Sequence, residues 1–404
     1  MDPPLPSASS SSSSSIPLAY SDPSTYLSSP KFHLSHTFTP SSLPSSPITA
    51  SYAFVGSSNP SDPTLVWING LGHHRLASSL FDGICQSSKV RFLTIDRPSA
   101  GLSTAVPLSE RIRLSHETLL EVLEREGIKD FSILSHSNGV IYALYTLLNL
   151  REEDLKCRKW FMTSPWVPAG ISGSIGLNLA GYVPGNVTNK LGSLAWGVQK
   201  AIGPLGVSMG FVRDCGNWSG GLIMGSGSGS SSKEATPLPR RKGTIEERIQ
   251  HFESLQSLKP REEQTFGGKY YPSGMMDLGM KVVLEEGMQG MGEEARVCLR
   301  KGVEWGWVQH ESGMSDQELY RKGFKALKDK RGSDLRVKVF AAGQDGLVPQ
   351  RGRDWLRGLL LELGIVRVRE GGEEEGWKEC SKMGHDEVLG LKFVVEEILR
   401  DVKE

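Results

Sequence analysis

The chain has 404 residues, and 38 % of them are hydrophobic, which is enough to bury a sizeable core. Lysine plus arginine and aspartate plus glutamate each number 46, so the net charge is zero, and no basic stripe with interleaved aromatic residues is present. These features indicate a globular protein and argue against a nucleic-acid partner.

Residues 1–30 are rich in serine and proline, with neither a basic start nor an apolar run, so we expect a disordered segment rather than a secretory signal. The five cysteines are scattered and form no Cys-x-x-Cys pair. This pattern is typical of reduced thiols and argues against both a disulfide framework and a zinc site. We therefore expect a cytoplasmic protein.

Residues 31–167 predict an edge hairpin followed by alternating strands and helices. Residues 32–38 and 48–55 form the hairpin, and the nearly continuous apolar runs at 64–68 and 90–95 are typical of parallel strands buried on both faces. The alternation continues with a helix at 108–126, a strand at 131–134, a helix at 138–150 and a strand at 159–163. It predicts a doubly wound, mostly parallel α/β sheet.

Residues 168–332 do not follow this alternation and predict a mainly helical cap or lid, inserted after the sixth strand. Within it, residues 225–243 form a Gly/Ser-rich stretch that we expect to be a flexible loop. Three of its tryptophans are available to line a pocket, or alternatively to form the core of the cap: Trp196, Trp305 and Trp307. Residues 161–189 carry no charged side chain or histidine, but prolines and glycines interrupt them, so we expect no stable membrane span.

The alternation resumes in residues 333–404, the predicted second part of the core. It predicts a strand at 335–342, a helix at 351–363, a strand at 366–368 and a helix at 387–402.

Ser137 is the candidate nucleophile, because it lies between a predicted apolar strand and a predicted apolar helix. The small residues Ser135 and Gly139 stand two positions on either side, as a nucleophile elbow requires. Ser174 matches the same loose pattern and Ser103 nearly matches it, but neither lies between a strand and a helix. A structural turn serine is the alternative interpretation of Ser137.

A serine hydroxyl needs a base and an acid that orients the base. Asp345 follows the strand at 335–342, and His385 lies between the next predicted strand and the last helix. Each could instead be a turn or capping residue. The chain order Ser, Asp, His favours a catalytic triad, since α/β enzymes with a nucleophile elbow have this order.

The Gly-rich loop at 69–74 follows the first predicted parallel strand. An acyl-transfer intermediate carries an oxyanion that two backbone N–H groups must bind. The candidate donors are the N–H groups of Leu71 and Asn138, with Asn69, Gly70 and Gly139 as supporting residues.

With these motifs, the chain resembles the α/β-hydrolase superfamily over residues 32–167 and from residue 335 to its end. Residues 69–71 (Asn-Gly-Leu) resemble the family's His-Gly-x loop, with Asn69 in place of histidine, and residues 96–103 resemble its Asp-x-x-Gly-x-Gly-x-Ser loop. The Gly-x-Asp loop at Gly343 and the Gly-His loop at Gly384 match the family pattern.

The sequence therefore predicts a serine hydrolase that cleaves an ester, thioester or lactone, with a small lipophilic molecule as its substrate and with no cofactor or metal. Acyl transfer or hydrolysis of a carbon–carbon bond on the same triad stays open. A catalytically silent binding protein with this fold is the alternative from another class.

Overall fold

A computed structural model describes residues 22–151, 153–174, 177–178, 182, 275–286, 290–368 and 374–404. Its main feature is an eight-stranded sheet with the strand order β1-β2-β4-β3-β5-β6-β7-β10. The strands of this sheet are β1 (Leu34–Phe38), β2 (Ile48–Gly56), β3 (Thr64–Ile68), β4 (Arg91–Ile95), β5 (Asp130–His136), β6 (Lys156–Thr163), β7 (Arg336–Ala342) and β10 (Trp377–Cys380). β1 and β2 are antiparallel to their neighbours, and the six other strands run parallel to one another. The predicted mostly parallel sheet and its edge hairpin are confirmed.

The described helices connect these strands. In chain order they are α1 (Pro23–Leu27), α2 (Ser79–Ser87), α3 (Arg111–Arg125), α4 (Gly139–Asn149), α5 (Ala169–Ser172), α6 (Met275–Glu286), α7 (Gly290–Cys298), α8 (Asp316–Arg331), α9 (Gln350–Glu362) and α10 (Lys392–Lys403). α5 to α8 all lie between β6 and β7 in the chain, where the sequence predicts the insertion.

Alternate residues of each central strand pack on opposite faces of the sheet, as the pleat requires. Val66 of β3 belongs to the core on one face, together with side chains of α3, α4, α8 and α9. Leu65 and Trp67 belong to the core on the other face, with side chains of α2 and α10. Helices therefore cover both faces, which explains why the strands are apolar throughout.

The structure differs from the expectation of disorder over residues 1–30. Residues 1–21 lie outside the described part, but α1 follows immediately. The Asp22 carboxylate accepts a hydrogen bond from the N–H of Thr25 at the start of this helix. Leu27 is buried, and the hydroxyl of Tyr26 donates to the Asp82 carboxylate on α2. Contacts with a distant part of the chain therefore order residues 22–30.

The prediction of a core strand at 366–368 is wrong. Residues Arg367–Val368 form β8, which pairs only with β9 (Glu374–Glu375) in a separate two-stranded sheet. The eighth strand of the main sheet is β10, which pairs with β7. Only Trp377 and Cys380 of β10 are buried, whereas Lys378 and Glu379 between them are exposed. An edge strand with charged residues at its centre lacks the apolar pattern on which the prediction relied.

Helix α8 precedes residue 333, the predicted start of the second core part, but it packs against the core. Tyr320 and Phe324 of α8 are fully buried in the same core cluster as α4. Trp305 and Trp307 are buried beside Tyr320, and the Trp307 indole N–H donates to the carbonyl oxygen of Ile141 on α4. These two tryptophans are core residues rather than pocket walls.

Two expectations lie outside the described residues, namely the flexible loop at 225–243 and the position of Trp196. Within the described part, no helix combines the length and apolarity needed to cross a bilayer. Four cysteines are described, all of them buried and free: Cys85, Cys157, Cys298 and Cys380. Burial raises the pKa of the thiols of Cys157 and Cys298 to about 12, which makes both of them poor nucleophiles.

Candidate active site

Ser137 occupies the turn between β5 and α4 with a φ of 51°, in the left-handed region that non-glycine residues rarely adopt. This strained turn is the backbone conformation expected of a nucleophile elbow. Gly139 is required behind it: a Cβ atom there would lie 2.2 Å from the carbonyl oxygen of Ile68 and 2.9 Å from that of Asn69. The close approach of α4 to the end of β3 thus explains why residue 139 is a glycine.

Ser135 replaces the glycine usual two residues before the nucleophile, and the structure shows what its side chain does. It is buried, and its hydroxyl accepts a hydrogen bond of 2.8 Å from the indole N–H of Trp160 on β6. A buried indole N–H needs an acceptor, so the serine at this position satisfies a core tryptophan.

The structure brings Ser137, His385 and Asp345 together in one hydrogen-bonded chain. The Ser137 hydroxyl lies 2.7 Å from Nε2 of His385, and Nδ1 of His385 lies 2.7 Å from Oδ2 of Asp345. Asp345 is buried in the loop after β7, and its Oδ1 accepts hydrogen bonds of 2.8 Å from the N–H groups of Leu347 and Val348. Because these bonds fix the carboxylate, Oδ2 is left for the histidine.

His385 lies in the loop between β10 and α10, and two contacts hold this loop. The Ser164 hydroxyl donates to the carbonyl oxygen of His385 at 2.6 Å, and the Gly384 N–H donates to the Glu387 carboxylate at 2.8 Å. Burial lowers the pKa of His385, but the adjacent carboxylate of Asp345 outweighs this effect, and the net pKa is raised above its ordinary value.

The loop after β3 passes directly beside the nucleophile. A Cβ atom on Gly70 would lie 3.1 Å from Cβ of Ser137, so the loop needs a glycine there. The guanidinium of Arg97 holds the loop from behind, since it donates to the carbonyl oxygens of Asn69 at 2.6 Å and Gly70 at 3.0 Å. Sequence reasoning missed Arg97, because the contact joins residues from two different loops.

The predicted oxyanion donors, the N–H groups of Leu71 and Asn138, lie on this loop and at the start of α4. Neither N–H donates to an acceptor within the described part of the chain. Unpaired backbone donors beside a nucleophile are what an oxyanion hole requires. The Asn69 side chain, which replaces the histidine of the family pattern, is buried, and its amide nitrogen has no partner among the described residues.

His136 also belongs to the site, although no sequence motif pointed to it. Its buried ring lies 5.3 Å from the ring of His385, and its Nε2 lies 2.9 Å from the Asp386 carboxylate. Burial lowers the pKa of His136, and its Nδ1 lies 3.1 Å from both the carbonyl oxygen and the hydroxyl of Thr163, so both ring nitrogens have hydrogen-bond partners. The pair of His136 and Asp386 ties the histidine loop to the end of β5.

Two clusters of described residues offer side chains of the kinds that bind metals, with ligand atoms within 4.8 Å of one another. They consist of His73, His136 and Asp386, and of His74, Asp96 and Glu286. The second cluster surrounds the guanidinium of Arg75, which donates to Asp96 at 2.7 Å and to Glu286 at 2.6 Å. A cationic side chain therefore already occupies the centre of that cluster. In the first cluster, the hydrogen bond between His136 and Asp386 pairs two of the three side chains.

A small open cleft lies next to the loop after β3. Gly72 and His73 of that loop line one side, and Val283 of α6 and Met291 of α7 line the other. The cleft therefore lies between the core and the inserted helices.

Solved structures with this architecture can be superposed on nearly the whole length of this chain. A probable hydrolytic enzyme from Pseudomonas aeruginosa PAO1 is 11 % identical and superposes with a TM-score of 0.50, over 92 % of this chain and 95 % of its own. The chain has the α/β-hydrolase fold. A putative lipase from Acinetobacter baumannii AYE (14 % identity, 92 % of each chain, TM-score 0.48) is also similar. So is epoxide hydrolase A from Mycobacterium thermoresistibile (12 % identity, 91 % of this chain and 97 % of the other, TM-score 0.49). No family model matches the chain, and no curated protein matches it either.

In the α/β-hydrolase fold of this chain, the loops that carry the site all follow parallel strands and therefore meet at one edge of the sheet. Ligands of open α/β sheets bind at this edge. The order Ser137, Asp345, His385 along the chain is the order known for α/β-hydrolases. The likeness to solved structures concerns the fold alone, so the chemistry must be argued from the residues.

Proposed function

We propose that the protein is a serine hydrolase that cleaves an ester, thioester or lactone through an acyl-enzyme. The observation that carries this proposal is the continuous chain of two 2.7 Å hydrogen bonds from Ser137 through His385 to Asp345. A buried acid, a histidine and a serine in a strained turn have the geometry that makes a hydroxyl nucleophilic.

In the acylation step, the Ser137 oxygen forms a bond to the substrate carbonyl carbon, and its proton passes to Nε2 of His385. The negative charge that develops on the carbonyl oxygen is stabilised by the N–H groups of Leu71 and Asn138. The bond to the leaving alcohol or thiol then breaks, and the leaving group takes the proton from His385. Asp345 stays ionised and stabilises the imidazolium.

In the deacylation step, water loses a proton to Nε2 of His385 and attacks the acyl carbon. The tetrahedral intermediate uses the same two N–H donors and collapses, with return of the proton to Ser137 and release of the carboxylic acid. Because the three triad residues are already in hydrogen-bonded contact, this mechanism calls for no large rearrangement of the triad.

We propose a lipophilic substrate on two grounds. Residues 161–189, which lead from β6 into the insertion, carry no charged side chain. Val283 and Met291 add apolar surface to the cleft next to the loop after β3, although charged and histidine side chains also line it.

A series of p-nitrophenyl esters from acetate to palmitate tests this proposal. We expect a burst of nitrophenol, an increase in protein mass equal to that of the acyl group, and neither result with Ser137→Ala. Analysis of the products with and without an added alcohol separates hydrolysis from acyl transfer. If no ester gave turnover or an acyl adduct, the proposal would fail in favour of a silent binding protein or another reaction.

A further inference from the structure

Glu294 on α7 is a buried carboxylate with four donors around it. It is 3 % exposed. Its Oε1 accepts from Nε of Arg111 at 2.7 Å and from the Tyr142 hydroxyl at 2.8 Å. Its Oε2 accepts from the side-chain amide of Asn138 at 2.8 Å and lies 3.1 Å from Nη2 of Arg97. A carboxylate with this many charge-assisted bonds is fixed in position.

Burial raises the pKa of Glu294, but the positive charges of Arg97 and Arg111 outweigh burial, and the net pKa is lowered. The carboxylate is therefore ionised, and the two guanidinium groups stabilise its negative charge.

Through Asn138, Glu294 touches the residue that follows the nucleophile. The backbone N–H of Asn138 is one of the two proposed oxyanion donors. The hydrogen bond from the Asn138 side chain to Glu294 restrains this residue at the first turn of α4, and with it the direction of the N–H group.

Through Arg97, Glu294 also acts on the second proposed donor. The Arg97 guanidinium binds the carbonyl oxygen of Gly70, and the Gly70–Leu71 peptide group is planar. In a trans peptide the C=O and N–H bonds point in opposite directions, so the Leu71 N–H points away from Arg97. Holding the carbonyl oxygen therefore sets the direction of the donor.

We infer that Glu294 is a positioning residue for the oxyanion hole. This one carboxylate of the inserted segment orients both backbone donors, through Asn138 and through Arg97. This inference rests on the proposed function. It means that the two N–H donors are correctly oriented only when α7 packs against the core. The inserted segment therefore contributes to the site.

The neighbouring glutamates supply matched controls. Glu293 lies next to Glu294 and accepts from the same Arg111 at 2.6 Å, but its side chain is 27 % exposed and makes no contact with Asn138 or Arg97 in the described structure. Glu286 ties α6 to the core through Arg75 at 2.6 and 2.7 Å, and it lies 2.9 Å from Nε2 of His74 at the end of the loop after β3. Glu293→Gln and Glu286→Gln thus loosen the inserted segment but leave the contacts of Glu294 with Asn138 and Arg97 in place.

The test compares the variants Glu294→Gln and Asn138→Ala with the two controls. For each protein we measure kcat and KM on a p-nitrophenyl ester, and the affinity for a boronic acid that forms a tetrahedral adduct on Ser137. Thermal unfolding shows whether each variant is folded. Loss of one oxyanion donor lowers kcat by about 10²–10³, so we expect misdirected donors to lower kcat by roughly 10- to 100-fold. KM should change little, since the ground-state carbonyl depends less on these donors. Boronate affinity should fall in parallel with kcat, and both controls should keep kcat close to that of the parent.

Asn138→Ala keeps the backbone N–H and removes only the side-chain contact, so it decides the outcome if Glu294→Gln does not fold. The inference is overturned if folded Glu294→Gln and Asn138→Ala retain the kcat and boronate affinity of the parent. It is equally overturned if Glu286→Gln loses as much kcat, because general seating of the segment would then explain the effect. A parent with no esterase activity and no boronate binding would instead refute the proposed function, and the inference with it.

Discussion

Replacing Asp345 by asparagine is expected to disable the enzyme by reversing the tautomer of His385. Oδ1 of Asp345 accepts two backbone N–H bonds of 2.8 Å, from Leu347 and Val348. In Asp345→Asn the amide oxygen must take this place, because an NH₂ group cannot accept hydrogen bonds. The NH₂ group then faces Nδ1 of His385 and donates to it.

With Nδ1 as acceptor, the histidine proton lies on Nε2 and points at the Ser137 oxygen. The ring then has no lone pair there to accept the serine proton. The loss expected for a wrong tautomer is about 10⁴ in kcat. At about 1.36 kcal/mol for each factor of ten, this is about 5.4 kcal/mol of transition-state stabilisation. The fold should be retained, since both backbone bonds to residue 345 survive.

Initial rates on p-nitrophenyl acetate and thermal unfolding measure these two effects. Asp354→Asn on α9 is the matched control, because this aspartate is exposed, and it should behave like the parent. A folded Asp345→Asn protein with activity within tenfold of the parent would show that another acid orients His385, and the triad assignment would be wrong.

Three further predictions concern pH and packing. The net pKa of His385 is raised, and only the neutral ring accepts the serine proton. We therefore expect kcat/KM to fall on the acid side with a midpoint above the ordinary histidine pKa of about 6.5. A midpoint below that value would contradict the effect of Asp345. Asp386 also raises the pKa of His385, so Asp386→Asn should move this acid limb to lower pH, and an unmoved limb would count against that contribution. Ser135→Ala leaves the buried indole N–H of Trp160 unpaired. Denaturant titrations should therefore show a free energy of unfolding that is lower by about 1–3 kcal/mol. An unchanged unfolding midpoint would mean that the indole finds another partner.

The sequence predicted the triad because three local patterns occur in the chain order Ser, Asp, His, although Asp345 and His385 taken singly could be turn or capping residues. Ser137 is placed by an apolar strand and an apolar helix, and Asp345 by the strand before it. The position of His385 was predicted even though the strand before it, β10, was not recognised. The Gly-His loop at Gly384, the helix predicted at 387–402 and the chain order of the three residues located it instead.

The buried charges around the site could not be predicted, because their partners are far apart in the chain. Asn138 and Glu294 are separated by 156 residues, and His136 and Asp386 by 250. Nothing in the local sequence of a glutamate shows that it will be buried against two arginines, since charged residues are usually exposed. The same reason explains the ordered residues 22–30, which depend on contacts with α2.

The central claim is that Ser137 is an activated nucleophile, and labelling with a fluorophosphonate probe tests it most directly. We expect one covalent adduct, which peptide mass spectrometry places on Ser137. Ser137→Ala should abolish labelling and turnover, whereas Ser103→Ala and Ser174→Ala should keep both. Labelling of the Ser137→Ala protein at the level of the parent, or an adduct on a different serine, would contradict the account.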